Sequence, residues 1–334
     1  MTAHYGNDSI VSNKACKCQT WEWNALKICG LGYVGIGVRE PAALMGFATD
    51  ILGLMPARSV PGDPASTSHL AADGSIYLKV DAWQWRIGVH PAPRDGMLLY
   101  MGFELAGEIE LEQACAELAA QGVPIRSGSA QEAAARAVTG IAFTQDPAGN
   151  VIELFYAPRL DRDFVSPQGM KFLTGDMGLG HVNLIVSQLK ASQDFYVRVL
   201  GFRLTDYYLF GDGLSANFYH CNPRHHTIGL AHAGPYDGVH HLMLEVADID
   251  DVGKCMERVE AAGIQISSTL GRHSNDNIIS FYMHSPFGLD VEIGCGAIRV
   301  DENWTPRLCA PGDIWGHKGL TAESMAPADD VAAG

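Results

Sequence analysis

Read as alternating apolar and polar positions, the chain falls into two halves that repeat the same order of elements. Residues 29–53, CGLGYVGIGVREPAALMGFATDILG, run from a Gly-Leu-Gly turn through an alternating strand into an amphipathic helix that stops at Gly53. Residues 177–201, MGLGHVNLIVSQLKASQDFYVRVLG, repeat that order, with Phe195, Val199 and Leu200 on one helix face and Gly201 as the stop. Segment 98–125 parallels 240–266, each a strand leading into a helix. Segment 141–155 parallels 279–294, each carrying an Asp-Pro or Ser-Pro turn, a glycine and a further strand. Each half therefore predicts strand, helix, then several strands. The expected organisation is an N-terminal extension (1–27), a first domain (28–158), a polar connection, a second domain (175–300) and a tail (301–334) whose Ala/Asp-rich end is loose.

A chain of 334 residues with 47% hydrophobic and 18% charged residues can bury a genuine core without staples. Lys and Arg number 23 against 38 Asp and Glu, and the net charge of −15 repels phosphate backbones and anionic lipids, so neither nucleic acid nor a membrane is an expected partner. The first twenty residues carry neither a basic nor an apolar signal segment, which points to the cytoplasm. Eight cysteines are scattered, and the close pair Cys16 and Cys18 lacks the second pair a zinc ribbon needs; they read as reduced thiols.

Comparing the halves acts as an internal control, because a residue replaced in the other copy is not needed merely to build the module. His181 aligns with Tyr33, His241 with Tyr100, and Glu292 with Glu153. In HVNLIV the apolar set Val182, Leu184 and Val186 faces the core, leaving His181 on the other face with Asn183. Leu242, Leu244 and Val246 likewise leave His241 with Glu245, and Leu289, Val291 and Ile293 leave Glu292 with Asp290. If these polar faces line one hollow, two imidazoles and a carboxylate converge as a metal site with positions open for substrate and O₂, the pattern of non-haem Fe(II) oxygenases. The same donors also suit zinc in some hydrolases.

Further polar residues surround these positions in the second half. His226 aligns with Trp85 and shares the alternation of Ile228 and Leu230; a partly desolvated imidazole there suits a proton shuttle. His225 points to the opposite face and reads as structural. His273, Asn275 and Asp276 sit in a loop, while Ser280, Tyr282 and His284 share a strand face. Tyr282 reads equally as core or as a hydroxyl facing a bound ligand, His240 as pocket wall or packing, and His284 as structural.

Gly30, Gly32 and Gly35 match G-x-G-x-x-G, with Asp50 about twenty residues on, which raises a dinucleotide fold. That fold needs a helix to begin inside the glycine turn. Here Val34, Ile36 and Val38 alternate as a strand, and helical spacing starts only after Pro41. The second copy reads GLGHVN and lacks the third glycine, so the spacing is incidental.

GLGH (178–181), CNPRHHTIGLA (221–231), HHLMLEV (240–246), STLGRHSNDNIISFY (268–282), the turn before DVEIG (290–294) and WGHK (315–318), in this order, resemble the type I extradiol ring-cleavage dioxygenases of the vicinal oxygen chelate superfamily. The resemblance spans nearly the whole chain. It implies an α+β fold of two domains, each of two βαβββ repeats as in the glyoxalase and bleomycin-resistance proteins, with only the C-terminal domain holding metal. By the same resemblance His181, His241 and Glu292 are Fe(II) ligands and His226 is the acid/base histidine. His273 and Tyr282 would hydrogen-bond the substrate, Asn275 and Asp276 would support them, and His240 would border the pocket. It further implies insertion of both atoms of O₂ beside the diol of a catecholic substrate, such as 2,3-dihydroxybiphenyl, and a homo-oligomer. The strand end reads EIGCG rather than the EYGW type of biphenyl-cleaving members, and Ile293 and Cys295 resemble members acting on larger catechols, so naphthalene- or steroid-derived diols stay open. A glyoxalase-like isomerase and a metal-free binding protein are the remoter alternatives.

Overall fold

The computed structural model describes residues 26–58, 68–161 and 163–319. Cys16, Cys18 and nearly all of the N-terminal extension lie outside the described residues, as does the end of the tail. In the first module β1 (Ile28–Val38), β2 (Met55–Pro56), β3 (Ile76–Lys79), β4 (Ile87–Pro91), β5 (Met97–Leu105), β6 (Arg126–Ser127), β7 (Gly140–Gln145) and β8 (Val151–Tyr156) form one mixed sheet. Its order is β2-β3-β4-β1-β5-β8-β7-β6. Helices α1 (Glu108–Ala120) and α2 (Ala130–Ala135) follow β5 and β6.

The second module repeats the plan with β9 (His181–Ile185), α3 (Leu189–Asp194), β10 (Arg203–Gly211), β11 (Leu214–His220), β12 (Ile228–His232), β13 (Gly238–Glu245), α4 (Ile249–Ala261), β14 (Ile266–Arg272), β15 (Ile279–His284) and β16 (Asp290–Cys295). A last strand, β17 (Arg307–Cys309), pairs in parallel with β10, giving the order β14-β15-β16-β13-β9-β12-β11-β10-β17. The segment after residue 300, set apart above as a tail, thus contributes a strand to this sheet.

Each module is two βαβββ units joined along one central antiparallel pair, β1 with β5 and β9 with β13, and flanked by parallel pairs. The internal alignment holds in the hydrogen-bond register: Val34 pairs with Ile87 as Val182 pairs with Ile228. The glycine run 30–35 lies wholly within β1, as strand.

The helix predicted to end at Gly53 departs from regular α geometry. It is a 3₁₀ turn (Pro41–Leu44) followed by a π turn (Phe47–Ile51), and its counterpart α3 runs into a π turn (Phe195–Val199). The wide turn stacks residues five apart, so the pairs Phe47 and Leu52, and Phe195 and Leu200, all reach the core together. One apolar core runs through both modules. Phe103 meets Phe202 with ring centres 5.4 Å apart, and Phe47 meets Phe287 at 5.5 Å. Among the described residues no helix is long and apolar enough to cross a membrane, and none of the described cysteines forms a disulfide.

Candidate metal centre and active site

The second sheet presents its polar alternates to a cavity of about 420 Å³, within the size range of about 300–1,000 Å³ usual for small-molecule sites. Val182, Leu184, Leu242, Leu244, Val291 and Ile293 pack into the core behind it, while His181, His241 and Glu292 line the hollow. Gly180 sets the entry to β9: a Cβ there would lie 1.9 Å from the carbonyl oxygen of Met243, so the chain passes against β13 only as glycine and delivers His181 to its place.

The three side chains converge. His181 Nε2 lies 3.0 Å from His241 Nε2, and the two nitrogens lie 3.4 and 3.3 Å from Glu292 Oε2. Donors about 2.1 Å from a common ion and mutually at right angles stand about 3.0 Å apart, and at tetrahedral angles about 3.4 Å, so the triangle has the size a single divalent ion requires. Burial pushes the His241 imidazole well down, leaving its lone pair free. Burial would push Glu292 up, but the imidazoles of His181, His273 and His241 beside it hold its carboxyl well below the usual carboxylate range. Its Oε1 is buried without a hydrogen-bond partner, with His273 Nε2 at 3.7 Å. Two imidazole nitrogens and a carboxylate crowded together out of contact with water fit a cation between them. The second ring nitrogen of His241 is 2.5 Å from His240 Nδ1, which fixes the ring so that Nε2 faces the triad.

Around the triad the other expected residues take distinct places. His226 stacks on His181 with ring centres 3.9 Å apart and lines the cavity. The strand alternation that would have put it beside Ile228 and Leu230 in the core does not extend back to it, because residues 221–227 form bends before β12 begins. His225 does not line the cavity; it lies behind His226, with the two Nδ1 atoms 3.1 Å apart. His273 Nε2 is 2.8 Å from the Tyr282 hydroxyl, and its Nδ1 is 2.6 Å from Asp313 Oδ1. Burial alone would lower His273, but its hydrogen bond with Asp313 and the nearby charges of Asp276 and Glu292 hold it up at about 10. Tyr282, His240, Asn275 and Asp276 all line the cavity; Asp276 accepts the backbone N–H of Ile278 at 3.0 Å, shaping its loop. His284 lies outside, paired with Asp290 at 2.6 Å.

Sequence reading missed Asp313, which the segment beyond β16 brings to the cavity wall, and His317, which packs against His273. His317 stacks on His273 at 4.0 Å and reaches the carbonyl of Ser280 at 2.9 Å. The WGHK motif was the available signal. Ile293 and Cys295 lie in the core and not on the cavity, so the EIGCG strand end says nothing of the ring system.

Residues 178–293 match the model of the Glyoxalase/Bleomycin resistance protein/Dioxygenase superfamily. The chain is 36% identical over 304 residues to an iron-dependent extradiol dioxygenase of Rhodococcus jostii, covering 87% of this chain and 97% of the relative. The chain belongs to the extradiol dioxygenases. A biphenyl-2,3-diol 1,2-dioxygenase of Paraburkholderia xenovorans is also 36% identical, over 90% of this chain and 99% of that one. The crystal structure of a halotolerant catechol dioxygenase superposes with a TM-score of 0.82 at 34% identity, covering 91% of this chain and 98% of its own. As an extradiol dioxygenase the chain is a ring-cleaving oxidoreductase with the two-module fold described above.

Proposed function

We propose that this extradiol dioxygenase holds Fe(II) through His181, His241 and Glu292 and cleaves a bicyclic vicinal diol of the 2,3-dihydroxybiphenyl type, using O₂. The observation that carries the reading is the polarity of the cavity. Its walls are of two kinds, the donor triangle with His226, His273 and Tyr282, and the apolar side chains Phe218, Leu214, Ala216 and Ala231. A diol fits the first wall and an aryl substituent the second. The names of the relatives agree, one being iron-dependent and another acting on biphenyl-2,3-diol.

Ferrous iron bound at the triad supplies Lewis acidity toward the diol oxygens and an electron path to O₂. His226 accepts a proton from a diol hydroxyl and returns it later in the reaction. Tyr282 and His273, joined at 2.8 Å, hydrogen-bond the diol oxygens from the other side of the cavity. Asn275 and Asp276 support that side, and His240 fixes His241. The apolar wall orients the distal ring and excludes water. A cytoplasmic location and assembly into a homo-oligomer belong to the same proposal, the first in keeping with the free thiols among the described cysteines, the second with family likeness.

The test is anaerobic reconstitution with Fe(II), followed by oxygen uptake and appearance of the yellow ring-opened product across monocyclic, biphenyl, naphthalene and steroid diols. The biphenyl diol is expected to give the largest kcat/KM. No oxygen uptake with any diol by iron-loaded protein would overturn the reading, and a preference for the monocyclic diol would overturn its substrate part.

A further inference from the structure

Behind His226 runs a buried chain of side chains that the reaction as set out above does not use. His225 Nδ1 is 3.1 Å from His226 Nδ1, and His225 Nε2 is 3.0 Å from Asp206 Oδ2. His225 and Asp206 are 1% and 0% exposed. Asp206 also accepts the backbone N–H of Arg307 at Oδ1, at 3.0 Å, and the Arg307 guanidinium at Oδ2, at 3.4 Å. The edge of Trp304 faces His225 with ring centres 5.9 Å apart, and the Thr205 hydroxyl donates to the His225 carbonyl at 2.7 Å, so the backbone is held on this side too.

The direction of every proton in this chain follows from its far end. A carboxylate only accepts, so His225 Nε2 carries the proton that Asp206 receives. If that is the only proton on the His225 ring, its Nδ1 is bare and only accepts, so the proton between the two histidines sits on His226 Nδ1. What remains for the cavity is His226 Nε2 with its lone pair free. The one other acid near that Nδ1, Asp276 Oδ2, stands at 3.9 Å, beyond hydrogen-bonding distance.

We propose that Asp206 and His225 are positioning residues that lock His226 in the tautomer able to take the first proton from the substrate diol. This rests on the assignment of His226 as the acid/base group. In the step, the diol O–H bond breaks, an Nε2–H bond forms, and His226 becomes an imidazolium whose Nδ1–H stays bonded to His225, within reach of the Asp206 charge through that ring. The diol is left as a monoanion, so proton and charge balance within the pair.

Asp206→Asn tests it with almost no change of shape. The backbone N–H of Arg307 requires an acceptor at Oδ1, and the exposed Arg307 guanidinium can turn away from the other position, so the new amide NH₂ faces His225 Nε2 and donates to it. His225 must then carry its proton on Nδ1, and His226 is forced to put its own on Nε2, closing the acceptor. In protein labelled with ¹⁵N-histidine and loaded with Zn(II), which keeps the spectrum diamagnetic, the His226 ring nitrogens are expected to report Nδ1–H in the wild type and Nε2–H in the variant. With Fe(II), kcat is expected to fall about 10²-fold or more while KM changes less than about threefold. His225→Phe, which keeps ring volume and removes both nitrogens, is expected to lose comparable rate should the first variant fold poorly. In a His226→Ala background neither change should cost further rate. A wild-type His226 already protonated at Nε2, or full turnover in both variants while His226→Ala is slow, overturns the proposal. Full turnover of His226→Ala itself instead overturns the acid/base assignment beneath it.

Discussion

Arg136 forks onto Glu153, with its Nε 2.9 Å from Oε2 and a terminal nitrogen 2.9 Å from Oε1. Glu153 is the first module's counterpart of Glu292, and it is equally buried. Where the second module has a triangle of donors, the first has Tyr33 donating to Glu153 at 2.7 Å and the Arg136 guanidinium lying 3.9 Å above the Tyr100 ring. The arginine supplies the positive charge that the retained carboxylate needs. Removing one partner of so buried a pair costs about 3–5 kcal/mol because it strands the other charge. Arg136→Met is therefore expected to lower unfolding free energy by about that much. Arg136→Met with Glu153→Gln should recover most of the loss. Denaturant unfolding measures both; a single variant as stable as wild type would show that the pair is dispensable.

The exchange of metal site for aromatic plug was partly legible in the chain. Tyr33 and Tyr100 stand at the histidine positions, and their cross-strand partners change with them. Tyr33 pairs with Gly102 where His181 pairs with Met243, and Tyr100 pairs with Gly35 where His241 pairs with Asn183. A Cβ on either glycine would strike the tyrosine ring at 2.2–2.3 Å, so each large ring is matched by a missing side chain. Strand alternation placed the three donors because it is local and of period two. It failed at His226, where the chain bends, and it was blind to Asp206, Asp313 and His317. Those reach the site through β10, β17 and the strap after it, contacts fixed by tertiary packing rather than by spacing.

Loss of any one donor should empty the metal site before it unfolds the protein. Glu292→Gln keeps shape but removes the anion that draws a cation among the buried imidazoles, so iron content after anaerobic purification is expected to fall well below one per chain. Chelating iron from the wild type should lower thermal stability, since a ligand bound only by the native state adds about 2.7 kcal/mol at a hundredfold excess over Kd. Differential scanning calorimetry with and without Fe(II) reads this directly, and the Glu292→Gln protein should show no iron-dependent shift. A variant that retains full iron and the full shift would remove Glu292 from the ligand set.

Acid should weaken the first module through His90. Burial pushes its imidazole down to about 4, with Nδ1 2.8 Å from the Ser75 hydroxyl and Nε2 2.6 Å from the Tyr100 hydroxyl. Between the ordinary histidine value of 6.5 and about 4 the unfolded chain binds a proton that the native state does not. Stability contributed by neutral His90 is thus intact above about pH 6.5 and is lost progressively as pH falls toward 4, by up to about 3 kcal/mol. His90→Gln can keep a hydrogen bond and does not titrate. Its unfolding free energy in metal-free protein, where ligand protonation plays no part, should fall less steeply over that window; an unchanged slope would mean that His90 does not carry the acid sensitivity.

The apolar wall of the cavity should set which diols are accepted. Ala216 and Ala231 face each other across β11 and β12 in that wall. Each methylene that a pocket gains or loses is worth about 1–3 kcal/mol in discrimination, or about 10- to 200-fold. Ala231→Leu fills space along the apolar wall and replaces none of the donors. It is expected to cut kcat/KM for 2,3-dihydroxybiphenyl by at least about tenfold and to leave that for an unsubstituted catechol within about threefold. Iron content should not change, because the strand that carries His181 pairs with β12 through backbone atoms alone. Steady-state oxygen uptake with the two substrates decides the matter: equal losses for both would mean that the substituent does not lie against Ala231.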